Sequence, residues 1–155
     1  MKILLDTTYL LPLIGIGIKE LDRIFLRKII REHQVFISNI TLFELAAKGS
    51  KFVVKNIINA QDVMDGLKTI QNDERIEIID PFSSYDTLQI GFLIRKFLSD
   101  YIDTIITATA IKSCEILLTE DKKIHKLKNI EEFKKLVKIK NSRFEILSAK
   151  EFSLY

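Results

Sequence analysis

Lys2-Ile3-Leu4-Leu5-Asp6-Thr7-Thr8 is the stretch from which the fold is read. Three consecutive apolar residues run directly into a carboxylate. A short, unbroken apolar run of this kind suits a strand covered on both faces, as at the centre of a parallel sheet. Asp6 stands where that strand stops. In open α/β sheets, ligands bind in the crevice outside the carboxyl ends of the strands. Asp6 is therefore either a site residue or simply the cap of a following helix. Other acids arriving at the same edge would favour the first reading.

Composition sets the frame. A chain of 155 residues, 47% hydrophobic and 29% charged, is expected to form one folded domain with a full core. No apolar run approaches the roughly 20 residues that cross a bilayer, and no leader pattern precedes the first strand. Cys114 is the only cysteine, which excludes an internal disulfide and suits a reducing, cytoplasmic setting. A net charge of +3 permits a phosphate-rich partner without requiring one. Gly15-Ile16-Gly17 lacks the third glycine and the Lys-Ser/Thr pair of a phosphate loop, and reads as a bend.

The remaining chain alternates strand and helix signals. An amphipathic helix from about Lys19 to Glu32 carries Arg23, Arg27, Lys28 and Arg31 on its polar side. His33 follows as a partner for the helix dipole rather than a ligand, since no second His or Cys is near. Val35-Phe36-Ile37-Ser38 is a second strand, with a turn over 39–41. Thr41-x-x-Glu44 then has the form of a capping box, which is a sufficient structural reason for Glu44. A long helix is expected from Lys51 to about Gln71, a third strand at Ile76 to Ile79, and a helix from Tyr85 to Phe97.

Asp100-Tyr101-Ile102-Asp103-Thr104-Ile105-Ile106-Thr107-Ala108-Thr109-Ala110-Ile111 opens a helix apolar on all sides, hence buried. Asp100 suits its cap, and Asp103 its first turn, at the mouth of the core. Glu115 to Thr119 is a fourth strand ending in Glu120-Asp121. A lysine-rich helix from about Asn129 to Lys138 and a strand over Arg143 to Leu147 complete the pattern. Ser148-x-x-Glu151 is a further capping box.

Strands alternating with helices imply βαβ units and a three-layer α/β/α domain around a mostly parallel, twisted sheet. In that architecture Asp6, Glu44, Asp103 and Asp121 meet at one edge. Four carboxylates in one crevice raise each other's pKa unless a cation neutralises them. An all-oxygen set suits Mg²⁺ or Mn²⁺, ions that orient water against phosphodiesters. A haloacid-dehalogenase type phosphatase would need Asp-x-Asp where this chain has Asp6-Thr7-Thr8. A response-regulator receiver would need an acid pair that is missing.

Leu5-Asp6-Thr7-Thr8-Tyr9-Leu10 resembles the opening motif of PIN-domain nucleases. Phe36 to Leu45 is similar to their second motif, Asp103 to Ala110 to their third, and Leu118-Thr119-Glu120-Asp121-Lys122-Lys123 to their fourth. Ser148 to Phe152 resembles the family's ending. Thr107 departs from the pattern, where many relatives carry Ala. The resemblance implies a PIN-like fold and Mg²⁺- or Mn²⁺-dependent cleavage of single-stranded RNA. Asp6, Glu44, Asp103 and Asp121 would be both the catalytic and the metal-holding residues, with Glu120 or Thr119 as candidates to assist Asp121. The size also resembles toxin ribonucleases of VapBC toxin–antitoxin modules, which implies a homodimer and an antitoxin peptide as partner. A processing nuclease, or a silent RNA-binding scaffold, stays open beside the toxin reading. Because the acids repel RNA, basic residues beside them are needed, and Lys122, Lys123, Lys126, Arg23 and Arg27 are the candidates.

Overall fold

Ile3, Leu4 and Leu5 are all fully buried because their strand, β1 (Lys2–Leu5), is the middle of five. In the computed structural model, which describes residues 1–18 and 23–154 (Arg23 without its side chain), every strand pairing is parallel. The others are β2 (Gln34–Ser38), β3 (Ile76–Ile79), β4 (Ile116–Leu118) and β5 (Glu145–Leu147), in the spatial order β3-β2-β1-β4-β5. The α/β/α reading therefore holds, with a sheet that is wholly rather than mostly parallel.

Side chains of period two divide the core into two layers. Ile3, Leu5, Val35, Ile37, Ile116 and Leu118 point to one face. There they meet the 3-10 helix Thr7–Ile14, α1 (Arg23–Glu32), α2 (Asn39–Val54) and α3 (Ala60–Asn72). Leu4, Phe36, Leu117 and Ile146 point to the other. That face is covered by α4 (Tyr85–Ile94), α5 (Tyr101–Ser113), α6 (Lys122–Lys126) and α7 (Glu131–Lys140). A short α8 (Ala149–Phe152) opens on the Ser148–Glu151 capping box, as its sequence predicts.

Several boundaries differ from expectation, each for a local reason. No turn occupies 39–41. Ser38 accepts from the Ile40 amide and starts α2 early, so Thr41 lies inside the helix and the Thr41–Glu44 capping box does not form. The single helix expected from Lys51 to Gln71 is two. Asn56 takes a left-handed conformation (φ 54°), and Asn59 caps α3 by accepting from the Asp62 amide at 2.8 Å. Asparagines suit both tasks. The helix expected to reach Phe97 is regular only to Ile94, and α7 starts and ends two residues later than predicted. Helix α6 was not anticipated; Asp121 caps it. The expected helix start at Lys19 lies outside the described residues.

Helix α3 rides directly on the backbone of the 3-10 helix. A Cβ on Gly66 would stand 2.3 Å from the Leu13 carbonyl oxygen and 2.8 Å from Ile14 Cα. Both are backbone atoms with no rotamer to escape into. Gly66→Ala is therefore expected to destabilise the fold by roughly 1–3 kcal/mol or more. Gly17→Ala, with nothing within 4 Å among the described residues, should change little. Urea unfolding of the two variants checks the pair.

Candidate active site at the carboxyl edge of the sheet

The strand order reverses between β1 and β4, and at this switch point two neighbouring strands send their connections to opposite sides. Asp6 leaves β1 here and Thr119 leaves β4. The two strands are tied at this point. The Asp6 amide donates to the Leu118 carbonyl at 3.0 Å, and the Thr119 hydroxyl donates to Asp6 Oδ2 at 2.7 Å. Asp6 Oδ1 accepts from the Thr7 amide at 2.8 Å, so the residue caps the 3-10 helix as well. Asp6 is 5% exposed. Burial, opposed by the Thr119 and Thr7 hydrogen bonds and reinforced by the Glu44 charge, lifts its pKa to about 6.

Glu44 lies in the second turn of α2, which begins where β2 ends. It accepts from the Thr7 hydroxyl on one oxygen. On the other it pairs with Lys48, one turn further along α2, at 2.8 Å. The Lys48 charge also favours the ionised form of Asp6. An ammonium group thus reaches the acids from within the chain.

Asp103 sits in the first turn of α5, behind Asp100, which caps that helix by accepting from the Ile102 amide at 2.8 Å. Asp103 is half-buried. Burial and then the charges of Asp100, Asp121, Asp6 and Glu44 push its pKa to about 7. One carboxyl feels all four others, so five acids share a single electrostatic neighbourhood. Asp121 is held differently. Its amide donates to the Thr119 hydroxyl at 3.0 Å, and its Oδ1 accepts from the amides of Lys123 and Ile124.

The four predicted acids are brought to one edge, but not into a ready coordination shell. Among the described residues, no three of His, Cys, Asp and Glu stand as a group able to hold a metal ion. Both oxygens of Asp6 and both of Glu44 are turned to partners within the protein. The donor chemistry fits a hard divalent cation, since every donor is oxygen and two of the carboxyls are raised by burial, with neighbouring acids adding to it.

Glu120 belongs to other work. It accepts from the Tyr9 hydroxyl and from the Ala149 amide, tying the end of β4 to the 3-10 helix and α8. Thr119 is the residue that joins Asp6 and Asp121. Its carbonyl lies 2.8 Å from His125 Nε2, which steadies it from α6. Thr7 and Lys48 are site residues missed in the sequence. Lys48 had a signal, its i+4 spacing from Glu44 on one helix face; Thr7 had none beyond adjacency to Asp6. Thr107 is fully buried with no partner for its hydroxyl.

The basic candidates do not form one patch. Lys123 and Lys126 line a common hollow beside α6, and Lys122 is exposed outside it. Arg27 lines a different cavity, of about 330 Å³, with Tyr9, Leu13, Phe25 and Arg75. The side chain of Arg23 lies outside the described residues.

The PIN domain family model matches residues 3–130, a span holding all four predicted acids. The chain belongs to the PIN domain family. Two solved structures share its fold. One is VapBC2 from Rickettsia felis bound to a DNA fragment from their promoter, at TM-score 0.63 and 20% identity, covering 96% of this chain and 98% of the other. The second is a toxin–antitoxin complex from Klebsiella pneumoniae, at TM-score 0.51 and 22% identity, covering 76% and 85%. Comparison with curated proteins gave no match.

The raised carboxyls of this PIN domain carry a stability consequence. Asp6 and Asp103 hold protons to higher pH when folded than when unfolded. Their contribution to stability is complete below the ordinary value of 3.8 and is lost as pH rises through about 6 and about 7. Asparagine imitates the protonated form. In EDTA, Asp103→Asn should therefore match the parent near pH 4 and become the more stable protein as pH climbs towards about 8. Thermal unfolding across that range is the check. A gap that does not widen with pH contradicts the assigned shifts.

Proposed function

We propose that this PIN domain is a metal-dependent endoribonuclease acting on single-stranded RNA, the toxin of a VapBC-type toxin–antitoxin module. The observation that carries the reading is Asp103, half-buried at the switch point of a parallel sheet and facing the charges of four neighbouring acids. An unneutralised acid cluster at that position suits a phosphodiester held against a cation.

In this reading Asp6, Glu44, Asp103 and Asp121 hold Mg²⁺ or Mn²⁺. The ion would supply charge neutralisation at the phosphate and an activated water when bound. The protein's own part is positional. The Thr119 hydroxyl fixes Asp6, and the turn into α6 fixes Asp121. Glu44 would turn from Lys48 to hold the ion, and the Lys48 ammonium would then be available to the substrate. Half-burial keeps Asp103 able to take a proton near neutrality, a useful property beside a water that must lose one.

The test is cleavage of labelled single-stranded RNA with Mg²⁺, Mn²⁺ or EDTA. Asp6→Asn and Asp103→Asn are expected to lower the rate about 10²-fold or more, with fold retained by circular dichroism. Undiminished cleavage by either variant removes that acid from the site. An RNA-processing nuclease would cleave without a toxic phenotype on expression. A silent scaffold would bind RNA and never cleave it.

A homodimer that also receives an antitoxin peptide belongs to the same proposal. No helix among the described residues is long and apolar enough to cross a membrane. Phe82, Tyr85, Phe92 and Leu93 are exposed along α4 and the turn before it. A patch of this kind marks an interface, and two-fold closure is the common solution. Sedimentation at micromolar concentration should give twice the chain mass of 18.0 kDa. A Phe92→Glu variant should sediment as the monomer.

A further inference from the structure

We infer that the hollow between the end of α4 and α6 is a subsite that grips the RNA backbone next to the phosphate presented to the acids. The inference rests on the nuclease reading above and adds residues that the motifs do not contain. The hollow has a volume of about 400 Å³. Arg95, Lys96, Lys123 and Lys126 converge on it from two segments far apart in sequence. Among the described residues no carboxylate lines it.

Position ties it to the acids. Ser99, on its wall, precedes the cap Asp100, and Lys123 donates its amide to Asp121 Oδ1 at 2.6 Å. A strand of alternating phosphates and bases can therefore pass from the acid cluster to the cations without leaving the sheet edge. The four cations are not equivalent. Arg95 donates to the Leu98 carbonyl, and Lys96 pairs with Glu132 while lying 4.8 Å from the Phe97 ring. Lys123 and Lys126 are exposed, and no ion pair engages either among the described residues. They are the ammonium groups able to release counterions to a phosphate.

An apolar wall distinguishes the hollow from an ordinary solvated lysine face. Phe97, Leu98, Leu127 and Ile130 complete it. Half-buried Phe97 offers a surface for an unpaired base. Cations beside an aromatic wall suit a nucleotide of single-stranded RNA. An acidic peptide would use the charge and leave the wall without a partner.

The experiment measures binding of a fluorescent single-stranded oligoribonucleotide to the whole chain in EDTA, across salt concentrations. Lys123→Gln/Lys126→Gln together should weaken binding about tenfold at low salt, and should make the logarithmic salt slope shallower by about 1.4, or about 0.7 per phosphate contact. Lys28→Gln and Lys68→Gln, exposed on helices of the opposite face of the sheet, should stay within about twofold of the parent. Phe97→Leu should weaken binding without changing the slope. Affinity and slope unmoved in the double variant overturn the subsite. Competition by poly-glutamate equal to that by poly-uridylate would assign the hollow to an acidic peptide and overturn it also. A parent protein that shows the predicted salt dependence yet never cleaves RNA with Mg²⁺ or Mn²⁺ upholds the subsite and refutes the nuclease reading. Cleavage by the parent with unmoved binding in the double variant refutes the subsite alone.

Discussion

The hydrogen bond from Thr119 to Asp6 is the interaction on which the site depends. It places a nearly buried carboxylate at the junction of the two central strands. There the backbone bond from Asp6 to Leu118 has already brought the chains together. A buried carboxylate is tolerable only with partners. Asp6 has two, a hydroxyl and an amide, and its pKa still rises. The remaining features follow from that tension. Glu44 and Asp103 add charge of the same sign, and Lys48 offsets part of it.

The two sides of the sheet contribute unequally. The face built from the 3-10 helix, α2 and α3 supplies Thr7, Glu44 and Lys48, locked by backbone contacts such as Gly66 on Leu13. The face built from α4 to α7 supplies Asp100, Asp103 and the cationic hollow. Close backbone packing thus lies on one side of the acids, and the exposed lysines Lys123 and Lys126 on the other.

What could be read from the residues was the periodic part. The apolar run Ile3 to Leu5, the buried helix through Ile111 and the acids at strand ends all follow from local pattern, and they carry the layered fold. The failures have local physical causes. The helix expected from Lys51 to Gln71 had the right apolar spacing, but Asn56 and Asn59 broke it, and apolar period alone outweighed them in the reading. At Thr41 a capping motif was real in sequence, yet Ser38 began the helix sooner. Glu120 on Tyr9 and the meeting of Arg95 with Lys126 are tertiary pairings that no local window contains. The orientation of each carboxylate likewise depends on neighbours far away in sequence, so convergence was legible and coordination was not.

Asp6 and Thr119 are separated by 113 residues. During synthesis, β1, β2 and β3 leave the ribosome well before β4, and a parallel strand cannot be supplied by a local hairpin. The nascent chain therefore carries Asp6 exposed, without its hydroxyl partner, until the fourth strand inserts beside the first. The carboxylates of this edge therefore gain their shared surroundings only as a late event of folding.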